Sequence, residues 1–221
     1  MKKLLLILII PFLSFGQSWE QTFGNGEDDI KAYSVQQTSD GGYIITGGGG
    51  PYLYLLKIDL NGQEEWSQLL EGSDGLKIEQ TSDGGYILLD SGSNLIKINA
   101  DGQEEWSEGF DNEEIFGELG SDGQFFALQI TNDGGYIMLG YVASMEYGWF
   151  LSLLKTDLNG QEEWSQLLDG WYGRDIDQTS DGGYILVDLE ARLIKTDEFG
   201  QEQWRQDTNL DGAGDNELFS V

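Results

Sequence analysis

The twelve residues DLNGQEEWSQLL stand at Asp59–Leu70 and again, letter for letter, at Asp157–Leu168. Looser versions, NADGQEEWSEGF at Asn99–Phe110 and DEFGQEQWRQDT at Asp197–Thr208, make four occurrences in one chain. In Asp-Leu-Asn-Gly the aspartate suits the first position of a type I turn, the asparagine the third, and the glycine the left-handed position that follows. This predicts a hairpin with a three-residue loop and a glycine bulge, placing Asp59 opposite Gln63, Ile58 opposite Glu64, Lys57 opposite Glu65 and Leu56 opposite Trp66. A two-residue Asn-Gly loop would instead set Asp59 against Glu64, and like charges across a ladder are unfavourable.

The same register pairs Lys97 with Glu105 and Lys155 with Glu163, while Lys195 meets the neutral Gln203. An exposed ion pair of this kind is worth ~0.2–1 kcal/mol, whereas truncating a buried tryptophan costs about 3–5 kcal/mol. The repeated stretch therefore reads as structural. Trp66, Trp106, Trp164 and Trp204 are wedges between neighbouring sheets, and Gly62, Gly102, Gly160 and Gly200 kink the hairpins that carry them.

A second recurring stretch defines the unit. QTSDGGYII, QTSDGGYIL, ITNDGGYIM and QTSDGGYIL carry their aspartates at Asp40, Asp83, Asp133 and Asp181. Each is followed by an apolar run, a variable loop, a Leu-Leu-Lys or Leu-Ile-Lys segment, and the tryptophan hairpin. Successive tryptophans lie 40, 58 and 40 residues apart, and Trp66–Trp164, Trp106–Trp204 and Asp83–Asp181 are each separated by 98. Such periods mark stacked or radial repeats; here a long and a short unit form a module used twice. Each unit reads as four short strands punctuated by glycine turns, with no sustained helical periodicity. The expected units span about 29–70, 73–110, 122–170 and 172–208, with a partial unit at 209–221. The extra length of the third falls in two loops, Phe110–Gln124 and Gly140–Phe150.

At the ends, Trp19 reads as the outer strand of a preceding unit and Leu218–Val221 as the inner strand of a following one. Four complete units plus two orphan strands point to an open arc or a fragment of a larger array, with a closed four-unit ring as the alternative.

Residues 1–16, MKKLLLILIIPFLSFG, have the two lysines, short apolar run and small residues of a secretory signal peptide, which leaves 17–221 as an exported repeat domain in the periplasm, at the cell surface or outside the cell. The apolar run is too short to span a bilayer. The absence of cysteine rules out disulfides, and the absence of histidine removes the usual general base and metal ligand. Forty acidic residues against eleven basic give a formal charge of −29, which disfavours nucleic acid as a partner.

The pattern DGGYI followed by LLKTD-x-x-G-x-x-x-W resembles the tryptophan-docking repeat of quinoprotein-dehydrogenase-like β-propellers, of which the outer-membrane assembly lipoprotein is a non-enzymatic example. It is similar, more closely, to repeats in secreted bacterial propeller-like proteins. The resemblance covers nearly all of Trp19–Val221 and implies an all-β, propeller-like array of four-stranded antiparallel blades. It transfers no catalytic residue, because the vicinal cysteines of the dehydrogenases are missing.

Candidate sites fall in the loops that vary between units. Tyr141, Tyr147 and Trp149, with Trp171 and Tyr172 nearby in unit order, offer aromatic rings for a sugar or a protein partner. The alternative is that Trp149 and Phe150 simply begin the third strand and pack inside; Tyr147 is the residue expected to be exposed. Asp111, Glu113, Asp211 and Asp215 supply oxygens spaced for calcium but lack the strict EF-hand pattern, so no cofactor is assigned. The expectation is a non-catalytic binding or scaffolding protein for an unidentified protein or polysaccharide partner, with a carbohydrate-binding or carbohydrate-cleaving exoprotein as the alternative.

Overall fold

A computed structural model of the chain describes residues 30–207 apart from Gly50 and Ser121. These residues form four antiparallel sheets of four strands, each a meander in sequence order. The first blade is β1 (Lys31–Gln37), β2 (Tyr43–Gly49), β3 (Tyr52–Ile58) and β4 (Glu64–Glu71); the second is β5 (Gly75–Gln80), β6 (Tyr86–Asp90), β7 (Asn94–Ile98) and β8 (Glu104–Gly109). The third is β9 (Asp122–Ile130), β10 (Tyr136–Ser144), β11 (Gly148–Thr156) and β12 (Glu162–Asp169); the fourth is β13 (Gly173–Gln178), β14 (Tyr184–Asp188), β15 (Arg192–Thr196) and β16 (Glu202–Asp207). Trp19, Leu218–Val221, Asp211 and Asp215 lie outside the described residues.

The core lies between blades. Ile44, Leu53 and Leu55 of the first blade meet Ile78, Tyr86 and Leu88 of the second. Ile87, Leu89 and Leu95 meet Phe125, Tyr136 and Met138 of the third, and Ile137, Leu139 and Leu153 meet Ile176, Tyr184 and Leu186 of the fourth. Among the described residues no such cluster joins the fourth blade back to the first, so the blades form an open propeller-like arc. No helix among them is long and apolar enough to cross a membrane.

The tryptophan hairpin differs from its expected register. Asp59 N donates to Gln63 O and Ile58 pairs with Glu64, as the three-residue loop requires, but Lys57 then pairs with Trp66 and Leu56 with Ser67. A β-bulge intervenes at Glu65, and the same shift recurs in all four blades. The bulge sets two consecutive residues against one lysine. Glu65 thus stays on the Lys57 ammonium at 2.7 Å while the indole turns toward the next blade.

There Trp66 meets Tyr86, Trp106 meets Tyr136 and Trp164 meets Tyr184, with ring centroids 6.0–6.2 Å apart. The hairpin glycine of the following blade lies under each indole: a Cβ on Gly102 would come within 2.8 Å of Trp66, on Gly160 within 2.8 Å of Trp106, and on Gly200 within 2.7 Å of Trp164. Trp204, in the last described blade, is 47% exposed.

Lys57, Lys97 and Lys155 were expected to form exposed ion pairs, and Lys195 to face only the neutral Gln203. They are instead 3–8% exposed, and each ammonium is shared. Lys57 also reaches Asp40 of the Ser-Asp-Gly-Gly turn at 2.9 Å, and Lys97, Lys155 and Lys195 reach Asp83, Asp133 and Asp181 at 3.0–3.1 Å. Each ammonium also donates to the next residue's carbonyl. The double glycine now has two reasons: Gly41 adopts φ +87, and a Cβ on Gly42 would come within 2.7 Å of the Lys57 ammonium. Hydrogen bonds from Thr38 and Lys57 hold the Asp40 carboxyl down to about 2. Asp83, held chiefly by Thr81, and Asp181, held by Thr179 and Lys195, also fall to about 2. Asp133 reaches about 2 as well, where the Thr131, Gly135 and Lys155 hydrogen bonds overcome the opposing effect of burial.

Around the arc's axis the inner strands are stitched by side chains. Gln36 accepts from Gln80 N, Glu79 from Ile130 N and Gln129 from Gln178 N. Glu79 alone uses a carboxyl for this, and burial pushes it up.

Candidate functional site

Meander topology sorts the loops onto two rims. The Ser-Asp-Gly-Gly and tryptophan-hairpin turns share one; the middle hairpin tips and the connectors between blades share the other. The first rim repeats almost unchanged. The second is where the units diverge.

The longer of the two insertions is the blade-two connector, expected to be an irregular loop. It folds into a short helix, α1 (Asn112–Phe116), and a 3-10 turn at Gly117–Gly120. Asp111 is its N-cap, accepting from Glu113 N at 2.8 Å and from Glu114 N at 3.4 Å. The Asp111 carboxylate thus has a local structural role, and among the described residues no three carboxylates converge as metal ligands. The hairpin tip Ser91–Asn94 and this connector border a polar hollow of about 770 Å³ that reaches Tyr141.

The other insertion is no loop at all. Gly140–Phe150 lengthens the middle hairpin: β10 and β11 pair from Tyr136–Thr156 out to Ser144–Gly148, with the turn at Met145–Tyr147. Tyr147 is 54% and Met145 fully exposed, while Trp149 belongs to β11 yet remains 43% exposed. Tyr141, proposed from sequence as a contact residue, is instead only 8% exposed. It forms the floor of an aromatic cluster.

Tyr141 lies 4.2 Å from Tyr172 and 5.2 Å from Trp149 between ring centroids; Trp149 lies 5.3 Å from Tyr172 and 6.1 Å from Trp171. Four of the five candidate aromatics therefore meet, and Tyr147 stands apart at the tip. Phe126, absent from the sequence reading, stacks on Tyr141 at 5.7 Å. It occupies the β-bulge of β9, between the Ala127–Leu139 and Phe125–Gly140 pairs. The other inner strands have the same bulge, skipping Tyr33, Leu76 and Arg174, so aligning the four units could have revealed the position. Burial and a hydrogen bond with Tyr172 push the Tyr141 hydroxyl up to about 12 and keep it neutral.

Tyr172 has φ +50, a left-handed conformation unusual for a bulky side chain. Its carbonyl accepts from Leu189 N at 3.0 Å, locking the connector onto the β14–β15 tip. Beside Trp149 and Trp171 opens a hollow of about 390 Å³, completed by Asp169, Gly170, Glu190 and Arg192. Arg192 is held at 2.6 Å by the fully buried Asp188 and at 2.9 Å by Glu190.

No family model and no curated protein matches this sequence. Solved structures do resemble its fold. The WD40 β-propeller domain of Doa1 aligns with a TM-score of 0.51 at 11% identity, over 70% of this chain and 47% of that one. The quinohemoprotein alcohol dehydrogenase ADHIIG from Pseudomonas putida HK5 gives 0.57 at 11% identity, over 79% and 40%. Chaetomium thermophilum Raptor gives 0.58 at 7% identity, over 79% and 16%. The fold is therefore β-propeller-like, with four blades described. The alignment takes in less than half of each of these three structures, and at such identities the likeness concerns fold alone.

Proposed function

We propose that this chain is an exported, non-catalytic binding or scaffolding repeat protein, acting at the cell envelope or outside the cell through the connector rim of its third and fourth blades. One observation carries the reading. Over the stretches that repeat at 98 residues, the structural residues are duplicated, Lys57 as Lys155 and Trp66 as Trp164, while the rim changes. Pro51 becomes Trp149, Ser73 becomes Trp171 and Asp74 becomes Tyr172. The first module folds without these aromatics, so folding does not account for exposing two tryptophans in the second. Exposed aromatic patches mark recognition surfaces.

Carbohydrate binding or cleavage is the second reading, favoured by indoles set beside Asp169 and Glu190. The test is to screen the chain on peptide and glycan arrays and against polysaccharide substrates, alongside Trp149→Ala and Trp171→Ala. A ligand lost at least about tenfold in both variants, with melting unchanged, supports the proposed surface. Ligands indifferent to both substitutions refute it, and release of sugar from any polysaccharide refutes the non-catalytic assignment.

A further inference from the structure

We infer that the hollow between Trp149 and Trp171 receives a cationic side chain, lysine or arginine, from a polypeptide partner. This rests on the binding-surface reading above and specifies the partner's chemistry. Three observations lead to it.

The first is ring geometry. Trp149 and Trp171 are inclined at 60° with ring centroids 6.1 Å apart, an edge-to-face pair rather than a flat platform. Both rings stay part-exposed, at 43% and 39%, and an exposed indole face attracts ammonium and guanidinium groups.

The second is local charge. The charged residues lining the hollow are Asp169, Glu190 and Arg192; behind them Arg192 is paired with the buried Asp188 as well as Glu190, and Asp169 with Arg205. The Arg192 charge is already answered by two carboxylates, so it does not repel a second cation. The Asp169 side chain is 83% and that of Glu190 49% exposed, leaving carboxylate oxygens available beside the indoles.

The third is the field of the whole chain. At a formal charge of −29 the protein attracts basic partners over long range and repels acidic ones. The indole pair is where this general attraction acquires a specific seat.

The experiment titrates the full chain with a synthetic Lys-Gly repeat peptide, a Glu-Gly control, cellohexaose and chitohexaose, following tryptophan fluorescence and heat at low and physiological salt. The Lys-Gly peptide is expected to bind and to weaken with salt. Trp171→Ala is expected to lose at least about tenfold and Trp171→Phe less, following the ranking of rings for cations. Asp169→Asn with Glu190→Gln is expected to weaken binding, while the same neutralisation on the opposite rim, Asp101→Asn with Glu162→Gln, leaves it within about twofold. Equal weakening by the distal pair means diffuse charge attraction and overturns the inference. So does failure of the wild-type chain to bind the Lys-Gly peptide. If an oligosaccharide binds instead and is lost in Trp171→Ala, the cationic assignment falls while the binding surface stands. If no ligand on either array depends on Trp149 or Trp171, the surface falls as well.

Discussion

Alanine at Gly102 tests the blade lock most directly. Gly102 has φ +80, so any side chain there is strained by about 1–2 kcal/mol. The new Cβ would also lie 2.8 Å from Cζ3 and 3.1 Å from Cε3 of Trp66, an overpacking that typically costs about 1–3 kcal/mol. Gly84 provides the control: its φ is +86, and a Cβ there meets nothing within 4 Å. Gly84→Ala therefore carries the backbone strain alone. Urea titration should find Gly102→Ala less stable than Gly84→Ala by about 1–3 kcal/mol. In a Trp66→Ala background the indole clash disappears and only the flexible Gln68 side chain, its Cγ at 3.1 Å, has to give way, so Gly102→Ala should cost about 1–2 kcal/mol, and the double-mutant cycle should show a coupling of about 1–3 kcal/mol. Equal costs at the two glycines, or additivity with Trp66→Ala within about 0.5 kcal/mol, would refute the argument that the indole is seated on the next blade's hairpin.

Other outcomes follow from the same geometry. Trp106→Ala should destabilise toward the lower end of about 3–5 kcal/mol, since the ring is only partly buried, whereas the exposed Trp204→Ala should cost under about 1 kcal/mol. The carboxyls of Asp40, Asp83, Asp133 and Asp181 fall to about 2 when folded, below an ordinary aspartate near 3.9. Their contribution is therefore full above about pH 4 and lost as pH falls through about 2, so the urea midpoint should drop across that window and drop less in Asp83→Asn. Glu79→Gln keeps the acceptor for Ile130 N while removing a half-buried charge, as Gln36 and Gln129 already do at the equivalent places. It should raise the melting temperature at neutral pH by about 2–4 °C, and a decrease would contradict the seam's logic. Melting should be unchanged by a calcium chelator; a fall would return attention to Asp211 and Asp215.

What the sequence determined by itself was local. Asp59, Asn61 and Gly62 dictate their turn because a left-handed glycine and a side chain that accepts nearby amides act within five residues, and the Lys57–Glu65 pair follows from eight-residue proximity. The repeat likewise made the blades countable. Only the tertiary structure decided what those residues face. The bulge at Glu65 arises because one face of β4 must serve two partners, the lysine within the blade and Tyr86 of the next, and the second is invisible to hairpin chemistry. The bond from buried Lys57 in β3 to Asp40 joins residues seventeen apart in sequence, so no local pattern shows it. Tyr141 read as a contact residue because its segment broke the repeat. It is buried because the insertion lengthens a hairpin on which Tyr141 is flanked by Trp149 of the paired strand and covered by Phe126 of β9 and Tyr172 of the next connector. Strand alternation says which side chains share a face; only the packing of one sheet on another says whether that face meets protein or water.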